Sequence, residues 1–354
     1  LLNVLNSQIS CQSMQENIGR IKVAVIGMGP IGNLHAGIYQ DEESTDLVAT
    51  CEIDEDKRKF AESKFGIRCY SSIEELFKNH SIDLCSITTG GYEYGSDHYE
   101  PTIYALKNDS HVLCEKPISN DIVKAFEMVS TAKYHNKIFS INLNHRFTPA
   151  ARLAKKWQIE GKIGHPLFIN MSIWINNPNE SSPFFHIKAL HPHSIDIIRY
   201  YFGDIEQVHC FAMKGPGRNI WSNAQFNFKF TNGTIGSLTG SYDIERGHPM
   251  ERCEVAGING RFVIDDMYKE ATLYPAGDLN KIVYTNPIFG GMQSFNDTFK
   301  NRIISLINEI KNNNSPDDID GSGLDGLKAQ IVLEAAVQSI KKEKVIKIKD
   351  VFTI

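Results

Sequence analysis

The stretch Lys22-Val23-Ala24-Val25-Ile26-Gly27-Met28-Gly29-Pro30-Ile31-Gly32 constrains this chain more than any other. Its β-branched residues, Val23, Val25 and Ile26, run straight into glycines, which reads as a buried strand feeding a helix. Gly27, Gly29 and Gly32 hold the G-x-G-x-x-G spacing. In it the first two glycines permit a tight turn and a close backbone approach to a pyrophosphate, and the third permits close helix packing. Pro30 suits a first helical turn, where no N–H is needed. Alone the spacing is a weak signal, because a tight turn between a core strand and a helix also shows it. The next acidic landmark strengthens it. After a helix expected over 31–40, a second apolar run, Leu47 to Cys51, ends at Glu52, about 20 residues past Gly32, where a βαβ dinucleotide site needs a carboxylate for the ribose hydroxyls. Gly27, Gly29, Pro30, Ile31, Gly32 and Glu52 are therefore candidate cofactor contacts. The charge of Glu52, with no arginine directly after it, points to NAD rather than NADP.

The 354 residues suffice for two domains, since single cores stop growing near roughly 250 to 300 residues. Residues 1–20 are polar and aperiodic and are expected to be a disordered extension. From residue 21 the pattern alternates: strands at 22–27, 47–52, 69–70, 82–88, 111–114 and 138–143, with helices at 30–40, 55–65, 72–79, 98–108 and 121–135. This predicts an α/β fold whose N-terminal part, 21–147, is a Rossmann domain with a parallel sheet. Beyond a helix at 149–159 the character changes. Short strands are expected at 167–175, 208–214, 223–230, 234–243, 251–256 and 261–265, with closing helices near 292–313 and 324–342. Phe226, Phe228 and Phe230 alternate with Gln225, Asn227 and Lys229, the period of a sheet with one packed face. Residues 148–354 thus read as an α+β domain with a large, mostly antiparallel open sheet.

One segment ties these halves to a known family. The glycine turn, Glu52, His98-Tyr99-Glu100-Pro101 and above all His111-Val112-Leu113-Cys114-Glu115-Lys116-Pro117 resemble the glucose-fructose oxidoreductase / inositol dehydrogenase / MocA family of NAD(P)-dependent oxidoreductases. The resemblance runs over nearly all of 21–350. It implies cofactor contacts at Thr88, His98, Glu115 and Lys116 besides the glycine turn. It also implies that Lys116 and His193 handle the proton while a secondary hydroxyl of a sugar, sugar derivative or cyclitol exchanges hydride with the cofactor. His193 and Asp196 have the family's H-x-x-D spacing, which puts both on one helix face. Several relatives carry Asp four positions before that histidine, where this chain has Ala189. His191, Lys188 or His186 are open as replacements. Asn144, Arg146, Trp174, His191, His193 and Asp196 fall where substrate contacts are implied. Arg146 as a structural ion pair and Trp174 as core remain equally open. Two alternatives also remain: a silent dinucleotide-binding regulator, and a reductase of a less polar carbonyl or dihydrodiol substrate.

Other classes are disfavoured. A net charge of -5 without Lys/Arg runs argues against nucleic acid. No apolar run approaches a membrane span. Seven cysteines, odd in number and without a C-x-x-C pair, read as free thiols of a cytoplasmic protein. His186, His191 and His193 lack metal-ligand spacing, so no metal is expected. The one-sided sheet suggests a homodimer or homotetramer. The glycine-rich loop with Tyr92 and Tyr94 is open as a specificity loop.

Overall fold

The computed structural model describes residues 19–91, 93, 95–245, 250–267, 269–286 and 294–354. Most of the expected N-terminal extension, and Tyr92 and Tyr94, lie outside the described residues. In the first part β1 (Ile21–Ile26), α1 (Pro30–Asp41), β2 (Thr45–Cys51), α2 (Glu55–Phe65), β3 (Cys69–Tyr70), α3 (Ile73–Asn79), β4 (Leu84–Ile87), α4 (Tyr99–Lys107), β5 (His111–Cys114), α5 (Ile122–Tyr134) and β6 (Phe139–Ile141) follow one another. The strands pair in parallel in the order β3-β2-β1-β4-β5-β6. Helices cover both faces of such a sheet, so its central strands are apolar without alternation: Val23, Ala24, Val25, Leu84 and Cys85 are fully buried. Side-chain caps start three of the helices, Asp54 on α2, Ser72 on α3 and Asp121 on α5. Helix α1 differs. Its N-cap is Gly29, no side chain caps it, and its first turn holds no acidic residue, so its N–H groups are left for something else.

After a 3₁₀ turn at Asn144–Phe147 come α6 (Pro149–Ile159), β7 (Pro166–Trp174), α7 (Phe185–Phe202), β8 (Ile205–Met213), β9 (Asn223–Phe230), β10 (Ile235–Ser241), β11 (Glu251–Gly257), β12 (Gly260–Asp265), β13 (Glu270–Pro275) and β14 (Ile282–Thr285). Helices α8 (Phe295–Lys311) and α9 (Gly323–Lys342) and the short β15 (Ile346–Lys347) close the chain. The second sheet runs β14-β13-β12-β11-β7-β10-β9-β8-β15, antiparallel except where β7 meets β10. Phe226, Phe228 and Phe230 face the core, as their period implied, while Asn227 and Lys229 face outward. Strands β13, β14 and β15 were not anticipated. β15 has only two residues and β14 is mostly exposed, so neither carries a readable apolar pattern.

The sheets divide near residue 147, but the cores do not. Ile303, Leu306 and Ile307 of α8 share a cluster with Val23, Met28 and Tyr39. Leu327 and Ile331 of α9 join Ile118, Ile141 and Leu143. Close approach of α9 to β6 depends on two glycines: a Cβ on Gly323 would lie 2.3 Å from the Phe139 ring, and one on Gly326 would lie 2.6 Å from Ile141. Among the described residues no helix is long and apolar enough to cross a membrane.

Candidate active site

The loops after β1 and β4 meet where the strand order reverses, the place at which open α/β sheets bind ligands. They form one wall of a cavity of about 800 Å³, with Gly29, Pro30, Ile31, Thr88 and Thr89 on that wall and Leu190, His193, Met250 and Asp266 on the wall made by the second sheet and α7. Two glycines of the turn serve the protein itself. Gly27 has φ +94° and its Cβ would lie 2.8 Å from Thr89 N, and a Cβ on Gly32 would lie 1.9 Å from the Gly27 carbonyl oxygen. Thr88 Oγ1 locks that turn by donating to Gly27 O at 2.6 Å. Gly29 is different: a Cβ there would meet nothing within 4 Å, so its bareness leaves open space beside the uncapped α1 N-terminus. That is where an anionic pyrophosphate fits.

Glu52 directly follows β2 and is buried. Its carboxylate accepts from Met28 N at 2.7 Å and Asp54 N at 3.1 Å, which fixes it beside the glycine turn. Arg58 donates to the carbonyls of Glu52 and Ile53 at 2.9 and 2.6 Å. Further along, Asn142 Oδ1 and Asn144 Oδ1 are buried without hydrogen-bond partners among the described residues, and both asparagines line the cavity. The residues present therefore fit a dinucleotide: an open helix start, a fixed carboxylate, and unused buried acceptors.

Lys116 follows β5, joined to Pro117 by a cis peptide bond, and lines the cavity with His98, Glu115 and His193. Glu115 is held by His35 Nε2 at 3.2 Å and by the Asn142 amide. Burial alone would raise the Glu115 carboxyl, but the bonds from His35 and Asn142 and the charge of Lys116 outweigh it and hold it below its ordinary range. Burial pushes the Lys116 ammonium the other way, below the usual lysine range, with Glu115 opposing. Lys116 Nζ donates to the Ala189 carbonyl at 3.2 Å. Pro192, inside α7, has no N–H for the Lys188 carbonyl four residues back. His98 Nδ1 lies 2.8 Å from Pro117 O, and burial keeps its ring below the usual histidine range.

His193 reaches the same cavity from α7 and lies flat on His145, with ring centroids 4.0 Å apart and planes within 2°. Burial, then His145, then Lys116, pushes His193 well below its ordinary pKa. His145 was not singled out from sequence. Its Nδ1 lies 2.9 Å from Glu251 Oε2, a residue of β11 more than a hundred positions away.

Four residues expected at the substrate do not line the cavity. Arg146 is buried in an ion cluster, donating to both oxygens of Asp196, to Asp320 Oδ1 at 2.7 Å and to Asp325 Oδ2 at 3.2 Å. Asp196 is thereby committed to Arg146 and not to His193. His191 is fully buried, 3.2 Å from His186 Nε2 and 3.1 Å from Ser194 Oγ, with Gly240 packed against its ring. Trp174 points away because side chains on β7 alternate, and Ile173, its neighbour, faces the cavity instead. Asn144, by contrast, stays on the wall, its amide donating to Thr298 Oγ1. Met250, Asp266, Lys269, Phe295 and Phe299 also line the cavity and carried no motif. Among the described residues no group of His, Cys, Asp and Glu is arranged to hold a metal ion.

Comparison with known proteins decides the ancestry. Residues 21–143 match the sequence model of the GFO/IDH/MocA oxidoreductase family's NAD-binding Rossmann fold, and residues 151–263 match the C-terminal domain of the same family. The chain belongs to the GFO/IDH/MocA family. As a member it is an oxidoreductase with an NAD-binding domain. A myo-inositol 2-dehydrogenase of Thermotoga maritima is 24% identical, the alignment covering 94% of this chain and 99% of the relative. A levoglucosan dehydrogenase solved with NADH and levoglucosan superposes with a TM-score of 0.83 at 20% identity, over 93% of this chain and 99% of that one. An oxidoreductase from Agrobacterium radiobacter solved with NAD+, L-tartaric acid and magnesium gives 0.82 at 19%, over 94% and 100%. The family's two-domain fold thus extends over almost the whole described chain.

Proposed function

We propose that this family member is an NAD-dependent dehydrogenase that oxidises a secondary hydroxyl of a sugar, sugar derivative or cyclitol to a ketone, or runs the reverse. The observation that carries this reading is the convergence of Lys116 and His193 from two domains on one cavity whose far wall is the glycine turn. The bound dinucleotide supplies the hydride acceptor or donor. Lys116 Nζ takes the proton from the hydroxyl oxygen in the oxidative direction, its ammonium disfavoured by burial. His193, kept neutral, accepts a hydrogen bond from the substrate. The isoleucines and phenylalanines of the lining exclude water, and Asn144 and Asp266 offer polar contacts for further hydroxyls. A relative named for myo-inositol and a structural neighbour holding levoglucosan support the substrate class. A screen of sugars, sugar acids, cyclitols and glycosides for NADH formation tests it. NADH binding with no turnover of any of them would favour the silent-regulator reading.

NADH should bind more tightly than NADPH, because the Glu52 carboxylate is fixed where it would repel a 2′-phosphate and Arg58 is turned to main-chain carbonyls. Fluorescence titration of the two reduced cofactors checks this. Tighter NADPH binding would refute the assignment.

The chain should also form a homodimer or homotetramer through the outward face of its second sheet. Phe168 and Ile235 lie side by side on β7 and β10, with Phe211 and Met213 of β8 also exposed, while no element of the described chain covers that face. Light scattering should give a multiple of 39.9 kDa. A mass near the single chain would refute it.

A further inference from the structure

We propose that His145, backed by Glu251, is a proton-relay residue that discharges Lys116, doing from the first domain what α7 has no acid to do. The inference rests on the dehydrogenase reading above. Three observations on α7 leave the vacancy. Ala189 offers no carboxylate one helical turn before His193. Asp196 is taken by Arg146. His193 Nδ1 is buried with no hydrogen-bond partner among the described residues. Across the ring stack, the complementary arrangement exists. His145 Nδ1 faces Glu251 Oε2 at 2.9 Å, and the two side chains are almost fully enclosed. The contact lies outside hydrogen-bond geometry, so Glu251 stands ready to pair with the ring once it takes up a proton, and Nε2 is left as the nitrogen for the cavity that His145 lines.

The stack also disfavours charge on both rings at once. Parallel imidazoles 4.0 Å apart do not both bear a proton at low cost, and only one of them has a carboxylate. The low pKa direction of His193 agrees with that division. The other charged groups on the cavity that His145 lines are Glu115, Lys116, Asp266 and Lys269. In the oxidative direction Lys116 becomes an ammonium when the hydroxyl O–H bond breaks and the oxygen keeps the electron pair in the new C=O bond. Before the next turnover that N–H must break too. His145 Nε2 receives the proton, Glu251 balances the imidazolium, and solvent buffer takes it away. Nothing is oxidised in the relay itself.

Two variants and one activity-free measurement test this. His145→Gln should lower turnover at neutral pH by roughly thirtyfold to a hundredfold while leaving NADH affinity and thermal midpoint close to those of the unmodified protein, with the loss shrinking at alkaline pH. Glu251→Gln should move the acidic limb of turnover down by about one pH unit or more, since it removes the charge that favours the imidazolium. The second readout needs no substrate. Nitrogen-15 NMR of the cofactor-free protein should show the His145 ring titrating, and Glu251→Gln should lower its midpoint. Unchanged turnover and pH profile in His145→Gln, or loss of turnover together with NADH binding, would overturn the relay. So would a ring midpoint indifferent to Glu251→Gln, and that arm still decides if His145→Gln fails to fold. If no substrate turns over at all, the dehydrogenase reading fails while the ring titration still stands or falls by itself.

Discussion

Lys116→Met is expected to lower turnover at saturating substrate by on the order of a thousandfold while leaving NADH binding nearly unchanged. The reason is positional. A secondary alcohol cannot give up hydride without its oxygen shedding a proton, so a base must stand within hydrogen-bond reach of that oxygen. A free lysine has a pKa of about 10.4 and would be a poor base at neutral pH. Burial lowers Lys116, and a bound oxidised nicotinamide would disfavour its ammonium further, while Glu115 pulls the other way but is itself shared with His35 and Asn142. Activity in the oxidative direction should accordingly rise with pH along a limb that lies below the ordinary lysine range, and the Met variant should lack that limb. Methionine keeps the length and apolar packing of the side chain. If the variant instead loses NADH affinity and keeps its turnover at saturation, Lys116 only holds the cofactor.

Arg146→Met should destabilise the fold by about 3 to 5 kcal/mol, the range for breaking a buried ion pair by removing one partner. The guanidinium sits among Asp196, Asp320 and Asp325 and over the Tyr200 ring at 5.2 Å. Without it, Asp196 is left buried with no cation of its own, and two further carboxylates face it. For Asp320 and Asp325 the pH dependence has a definite sign, whereas burial raises the Asp196 carboxyl. Burial would raise the carboxyls of Asp320 and Asp325, but Arg146, helped by Arg152 at the first and Arg199 at the second, holds both below the ordinary range. A depressed carboxyl stabilises the fold above its unfolded pKa of about 3.9 and loses that contribution as pH falls through the folded value. The native protein should therefore lose stability below about pH 4 more steeply than Arg146→Met does. Thermal melts from pH 7 to pH 3 measure both effects. A raised KM with an unchanged melting temperature would return Arg146 to the substrate.

What could be read in advance divides along the range of the forces involved. The glycine turn, the carboxylate after β2 and the Glu-Lys-Pro strand end are local: neighbours in sequence are neighbours in space, and the cavity lies among them. The misplacements come from contacts that the chain makes far from itself. Arg146 could not be assigned without Asp320 and Asp325, which lie on the other side of the second sheet in sequence. Asp196 shares a helix face with His193, yet the stronger partner was a guanidinium from another element. Trp174 was recoverable, since counting by twos along β7 separates it from Ile173. His145 stood inside Asn144-His145-Arg146, but nothing near it announces Glu251, whose approach depends on the order of strands in the sheet.

The way α9 threads its glycines against β6 bears on how such enzymes diversify. A recombination event that joined residues 21–147 to an unrelated C-terminal half would strip Phe139 and Ile141 of the helix that seals them. The Rossmann half is therefore not a freely portable cassette. Its packing unit is discontinuous, comprising the first strands and helices together with α8 and α9 from far along the chain. New specificities in this architecture should accordingly arise by substitution along the cavity wall and in the loops of the second sheet, where change leaves that distant seal untouched.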